Sequence, residues 1–210
     1  MNRCRAVLLL LALLALAGCS SSGSAAKPTP SQLIGGQGSG PYQGAGLTPA
    51  QPRPSFTLAD TAGKPFSFGG TTAGHPTLLY FGYTHCPDVC PATMADISIA
   101  LKKVPAALAA KTYVVFITTD VKRDTGAVIA RWLANFTDGA KAHFVGLRGT
   151  QDQIDAAQAA AHVNLASDDG QTHSSELLLY GPDDYARVAF LQSTTLQKQI
   201  AHDLQVVAAA

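Results

Sequence analysis

Charge is scarce in this chain. Lys, Arg, Asp and Glu make up 14% of its 210 residues, and the formal net charge is +1. No basic tract occurs, which removes the concentrated positive surface that nucleic acid requires. Long apolar runs are lacking too. The stretch without charge from Ala6 to Ala17 covers twelve residues, whereas a stable bilayer span takes roughly 20. No transmembrane helix is therefore expected in the mature chain. Cysteine is limited to four residues, which do not form one set, so a disulfide framework is not expected. No internal repeat is visible.

Apolar residues nevertheless reach 47%, and much of the excess sits at the start. Arg3 and Arg5 precede the run Ala6 to Ala17, as a basic region precedes the apolar core of a signal peptide. The stretch Leu16-Ala17-Gly18-Cys19 follows and resembles the lipobox of bacterial lipoproteins. Residues 1–18 are expected to be a removed signal, taking Cys4 with them, and Cys19 to be lipidated. Ordinary secretory cleavage nearby would instead leave Cys19 a free thiol. Residues 20–54 are Ser, Gly, Pro or Gln at 23 of 35 positions. That composition buries too little apolar surface to offset the entropy of ordering. The sequence thus predicts a flexible tether over 19–54, about 30 Å in mean span. A single domain is expected over 55–210, where 11 basic residues meet 14 acidic ones.

Period and breakers give an α/β reading of that domain. Phe56-Thr57-Leu58 and Phe66-Ser67-Phe68 flank the turn Gly63-Lys64-Pro65 and predict an N-terminal hairpin. Thr77 to Phe81 and Tyr113 to Thr118 read as buried strands, Phe144 to Leu147 as a weaker one. Helical spacing runs from Pro91 to Ala110, with Met94, Ile97, Leu101, Val104 and Leu108 on one face; Pro105 is placed to kink or divide it. Further helices are predicted over Thr125–Phe136 and Thr150–Ala161, the second capped by Thr150. A second hairpin is expected around Gly181-Pro182-Asp183-Asp184, and Thr194 or Thr195 opens a last helix. Alternating strands and helices imply a layered α/β domain.

Chemistry concentrates in Cys86-Pro87-Asp88-Val89-Cys90, between a strand and a helix. Amide groups and the helix dipole favour thiolate at such a place. Residues four apart in a helical turn have Cβ atoms about 5–6 Å apart, so both sulfurs can converge on one ion, and a disulfide needs only a small adjustment. An inert short-range disulfide is the bland alternative, but closing so short a loop adds little stability. Sulfur with imidazole suits copper and zinc. Of six histidines, His75, His143, His162 and His202 read as surface residues. His85 adjoins Cys86 too closely to chelate with it and is expected to support the site from outside. His173, in a loop before a predicted strand, could reach the cysteine turn. Met94 fits the apolar helix stripe better than a ligand role.

The segment Tyr80-Phe81-Gly82-Tyr83-Thr84-His85-Cys86-Pro87-Asp88-Val89-Cys90-Pro91 resembles the Sco/SenC family of copper proteins. Two further blocks share the resemblance: Thr119-Asp120-Val121-Lys122-Arg123-Asp124-Thr125, and His173-Ser174-Ser175 followed by Leu178 to Asp183. It extends over about residues 55–206. The resemblance implies a thioredoxin-like fold with an added N-terminal hairpin and a late β-hairpin insertion. It implies copper on Cys86, Cys90 and His173, as Cu(I), with Cu(II) left open. It also implies a metallochaperone role in assembling the dinuclear copper site of cytochrome c oxidase, with a copper donor protein and the oxidase's copper-site subunit as partners. Asp120 is a candidate to support the site, and Asp88 to shape the turn or the electrostatics of the thiols. Thr172 stands where the family often has Asp, which removes a carboxylate that could orient the imidazole. With the lipobox, the expected location is the outer face of the bacterial cytoplasmic membrane, with a lipid anchor.

One competing function is a thiol–disulfide oxidoreductase that reduces a target's copper-site cysteines, with Cys86 and Cys90 as its redox pair. Such enzymes of this fold usually separate their cysteines by two residues, and here there are three. A peroxidase reading lacks a further set of catalytic residues. Structural zinc wants four ligands, and three can be named.

Overall fold

The computed structural model describes residues 32–33 and 40–209. Its strands are β1 (Gln32–Leu33), β2 (Ala45–Pro52), β3 (Thr57–Asp60), β4 (Pro65–Ser67), β5 (Thr77–Gly82), β6 (Tyr113–Thr118), β7 (His143–Arg148), β8 (Leu177–Tyr180) and β9 (Tyr185–Phe190). Its helices are α1 (Phe68–Thr72), α2 (Val89–Lys103), α3 (Ala106–Ala109), α4 (Gly126–Thr137), α5 (Gln151–Ala160) and α6 (Leu196–Ala209). The strands form one sheet in the order β1-β2-β9-β8-β5-β6-β7-β3-β4. Within it β5, β6 and β7 run parallel, and the remaining pairs are antiparallel.

The middle of the sheet is covered on both faces, so its strands are apolar throughout. All six positions of β5 are buried. Leu78 and Tyr80 point into a core with Met94 and Ile97 of α2, Ile129 of α4 and Leu204 of α6. Leu79 and Phe81 point the other way, toward Phe68 and toward Ile154 and Ala157 of α5. Strand alternation thus splits one apolar run between two cores.

Local signals set the element ends. Val104 is extended ahead of Pro105, and the predicted long helix divides there into α2 and α3. The Thr125 hydroxyl accepts from the Val128 amide at the start of α4. Thr150 and Gln153 form a reciprocal capping box on α5. β3 and β4 make the early hairpin. The late hairpin, β8 and β9, lies inside the sheet order, between β5 and β2.

The start of the domain is a correction. Composition places a tether through residue 54, yet β2 pairs with β9 from Ala45 to Pro52. Leu47 and Gln51 are the residues β2 buries, so its sequence shows little apolar pattern. Tertiary partners hold it instead. The buried carboxylate of Asp203 accepts from the amides of Gln43 and Gly44, each at 2.8 Å. Arg53 is buried as well: its guanidinium donates to Asp184, Thr72 Oγ1 and the carbonyls of His75 and Gly181, and lies 5.1 Å from the Tyr180 ring centroid. The expected signal, Cys19 and residues 20–31 and 34–39 of the expected tether lie outside the described residues. Among the described residues no helix is long and apolar enough to cross a membrane.

Candidate metal centre

The two thiols sit where β5 hands over to α2. Cys86 is in the loop, half-buried, and Cys90 is in the first turn of α2, fully buried; both are free thiols. The Cys90 sulfur rests on Gly82, where an added Cβ would lie 2.9 Å from it. Glycine is required there because the sulfur occupies the space of a side chain. The Tyr80 hydroxyl, from the same strand, donates to Cys90 Sγ at 3.5 Å. The loop itself is fixed by the buried carboxylate of Asp124. It accepts from the Thr84 amide at 2.9 Å, the Thr84 hydroxyl at 2.6 Å and the Thr118 hydroxyl at 2.6 Å.

The imidazole arrives from a different part of the chain. His173 lies between α5 and β8, three residues beyond a 3-10 turn at Asp168–Gly170. Its Nδ1 is 2.7 Å from the carbonyl oxygen of Ser174. A carbonyl only accepts, so Nδ1 carries the proton and Nε2 keeps its lone pair. Nε2 is 3.5 Å from Cys90 Sγ. Tyr83 and Tyr80 meet the ring nearly at right angles, with centroids at 5.5 and 6.3 Å. Burial pushes the His173 pKa below the usual imidazole value, against the Ser174 carbonyl bond, which raises it. The ring is therefore neutral at neutral pH, the form that ligates a metal.

The thiols have opposite electrostatics. Partial burial works to raise the Cys86 pKa, but the backbone amides of Cys90, Asp88 and Val89 outweigh it and hold the thiol below its ordinary value. The Cys90 amide is 3.4 Å from Cys86 Sγ. Burial pushes Cys90 up to about 12, and the hydrogen bond from Tyr80 only partly offsets this. The helix terminus thus favours thiolate at Cys86, as the sequence predicts, while desolvation cancels that benefit at Cys90.

Cys86 Sγ, Cys90 Sγ and the His173 imidazole all lie within 4.8 Å of one another. Two sulfurs and an available nitrogen at this spacing form a donor set for one soft ion. The remaining predicted residues fall elsewhere. His85 turns toward Thr84 Oγ1 and Asp124, at 3.1 and 3.3 Å, and groups with Asp120 and Asp124 rather than with the thiols. Asp120 is buried and bonded to Arg123 through both side chain and backbone. Arg123 lies over the Tyr83 ring, 5.9 Å from its centroid, so the Asp120 carboxylate is linked toward His173 through Arg123 and Tyr83. The Asp88 side chain makes no cap bond, and the residue acts on Cys86 through its amide. Met94 is fully buried in the core. Sequence reasoning assigned no separate role to Tyr80, Tyr83, Thr119 or Asp124. All four stand in the blocks that resemble a known family, but nothing in their spacing shows what they touch.

A sequence profile described as SCO1/SenC matches residues 45–209. Protein SenC of Rhodobacter capsulatus is 37% identical over 115 residues, covering 55% of this chain and 49% of SenC. The mitochondrial protein SCO2 of Saccharomyces cerevisiae is 34% identical over 99 residues, covering 47% of this chain and 31% of SCO2. The solved structure of Bradyrhizobium japonicum ScoI with copper bound shares 30% identity at a TM-score of 0.60, covering 74% of this chain and 98% of that one. The matched regions span about a third to two-thirds of the length of the first curated relatives.

Proposed function

The chain belongs to the SCO1/SenC family, and on that premise we propose that it is a copper metallochaperone. It takes copper as cargo on Cys86, Cys90 and His173 and assists assembly of the dinuclear copper site of cytochrome c oxidase. One observation carries the reading: two sulfurs and an imidazole, from separate parts of the chain, lie within 4.8 Å of one another. The copper-bound ScoI structure supports the choice of metal. In this reading, the thiolate of Cys86 and the sulfur of Cys90 hold the cargo from one side, and His173 closes the other. During transfer, incoming thiolates displace His173 first, because it stands on a loop rather than on the β5–α2 junction. Cu(I) titration of the reduced protein against His173→Ala tests this. The expected result is one copper per wild-type chain, with sulfur and nitrogen neighbours in its X-ray absorption. Equal affinity and an unchanged spectrum in the variant would remove His173 from the site.

The proposal includes location. Residues 1–18 act as a signal, and lipidated Cys19 holds the domain at the outer face of the bacterial cytoplasmic membrane. The run Ala6 to Ala17 and the stretch Leu16-Ala17-Gly18-Cys19 support it. Palmitate labelling that persists in Cys19→Ser would refute it.

The opposed thiol pKa values favour a second reading, reduction of a target disulfide. The Cys86 thiolate attacks one target sulfur and releases the other as thiolate, leaving a mixed disulfide. Cys90 loses its proton to solvent and attacks Cys86, so the target leaves as a dithiol and the two electrons come from the Cys86–Cys90 pair. Reduction at wild-type rate by His173→Ala, alongside weak copper binding in both proteins, would make this the main activity.

A further inference from the structure

The thiols and the imidazole are about 80 residues apart in sequence, so something must set the gap between them. Among the described residues, the end of β6 and the loop after it touch both sides. On the cysteine side, Asp124 holds Thr84, and the Thr119 amide donates to the Gly82 carbonyl at 2.8 Å. Gly82 is the residue on which the Cys90 sulfur rests. On the histidine side, the Thr119 hydroxyl donates to the Gly170 carbonyl at 2.6 Å, and it stands 3.2 Å from the Gly82 carbonyl as well. Thr119 is fully buried. Gly170 packs so closely on it that an added Cβ would lie 1.9 Å from the Thr119 carbonyl oxygen, and its φ is +86°. From Gly170 the chain passes through the Ser167–Thr172 bridge to His173.

We propose that Thr119 is a positioning residue that sets the separation between the thiols and the imidazole, by bonding the backbone beneath Cys90 and the backbone of the His173 loop at once. The inference rests on the reading that His173 shares a metal with the two cysteines, and it concerns how this chain places His173 there. The amide bond to Gly82 belongs to the backbone and survives substitution. The hydroxyl bond to Gly170 does not. Thr119→Val keeps the shape of the side chain and removes only the hydroxyl; Thr119→Ser restores it.

The test compares wild type, Thr119→Val and Thr119→Ser, first without metal and then with Cu(I). In metal-free, reduced protein, NMR contacts between the rings of His173 and Tyr83 report whether the imidazole is in place. Thermal unfolding and circular dichroism show that each variant is folded. In Thr119→Val those ring contacts weaken, and amides of 168–173 exchange faster, while amides of α2 exchange as in wild type. Cu(I) affinity falls about tenfold, the low end of the loss typical for residues that orient a ligand, and the nitrogen neighbour is lost from the absorption spectrum. Thr119→Ser restores both. Wild-type ring contacts in folded Thr119→Val would overturn the inference, as would a Thr119→Ser variant as defective as Thr119→Val. If wild type itself binds no copper, the functional reading fails, and the metal-free ring contacts still decide the role of Thr119. Should Thr119→Val not fold, Gly170→Ala pushes the loop off Thr119 by a clash with its backbone carbonyl, separating the hydroxyl from its acceptor, and must show the same selective loss at His173; a wild-type loop there overturns the inference.

Discussion

The two loops that supply the donor atoms are held in different ways. The cysteine loop is short, flanked by a fully buried strand and a four-turn helix, and tied by two bonds from Thr84 to one buried carboxylate that Thr118 of β6 also holds. The histidine loop runs from 161 to 176 and contains His162, Asp168, Asp169 and Gly170, all with left-handed backbone. Its first half is held by the buried Gln158 side chain, which bonds the backbone of Asn164 and Ala166, while its second half, which carries His173, reaches the core chiefly through Thr119 to Gly170 and the exposed pair Lys122–Asp169. The exposed ion pair contributes little. Rigidity on the sulfur side keeps a soft donor pair preformed, and lighter attachment on the nitrogen side provides a ligand that can yield. In the proposed metallochaperone role, which requires copper to be both held and released, that asymmetry serves the site.

The comparison breaks first at Gly82. A methyl group there occupies the place of the Cys90 sulfur and meets the Tyr80 and Phe116 rings at 3.0 and 3.3 Å. Gly82→Ala is expected to cost more than about 100-fold in Cu(I) affinity, beyond what the loss of an orienting residue produces. An affinity within tenfold of wild type would show the cysteine side to be as adaptable as the histidine side. Asp124→Ala gives the next largest effect. It leaves buried Thr118 and the Thr84 amide without their acceptor and should destabilise the fold by about 2–4 kcal/mol, read as a lowered urea midpoint. Asp124→Asn, which keeps an acceptor, should lose less.

The smallest effect is in pH dependence. Cys86 has a lowered pKa, so its contribution to stability is present above the unfolded thiol value and is lost as pH falls through its folded value. Cys90 is raised to about 12, so its contribution is complete below the unfolded value and is lost as pH rises toward 12. Cys90 has the larger displacement, and stability of the reduced protein should decline between about pH 9 and 12. Cys90→Ala should lessen the start of that decline, below about pH 10, and Cys86→Ala should leave it in place; above that, the hydroxyls of Tyr80 and Tyr180, whose pKa values burial also raises, sustain the decline in either variant. Iodoacetamide should label Cys86 well before Cys90 at neutral pH.

Much of this architecture is legible in the sequence where one residue decides the local outcome. Pro105 ends a helix, Thr125 and Thr150 begin two more, and the run at Thr77 to Phe81 is a strand buried on both faces. The cysteines at a strand-to-helix turn are legible for the same reason. The parts that were not legible depend on distant partners. β2 is a strand because β9 pairs with it, not because of its own pattern. The difference in pKa between Cys86 and Cys90 comes from the deeper burial of Cys90 and the amides that face Cys86, which spacing does not express. His85 stands beside Cys86 in sequence, yet its ring turns to Asp124, thirty-nine positions away.

The place where β2 begins also decides how the molecule would behave if shortened. A fragment starting at residue 55, the boundary that composition suggests, would lack β2 and Arg53. The outer edge of β9 would then present unpaired amides and carbonyls to solvent, with the alternating apolar side chains Ala186, Val188 and Phe190 behind them. The carboxylate of Asp203 would lose its two amide donors. Such an edge recruits strands from other copies, so the trimmed protein should sediment as dimers or larger aggregates, whereas one that keeps residues 40–54 retains its own edge strand.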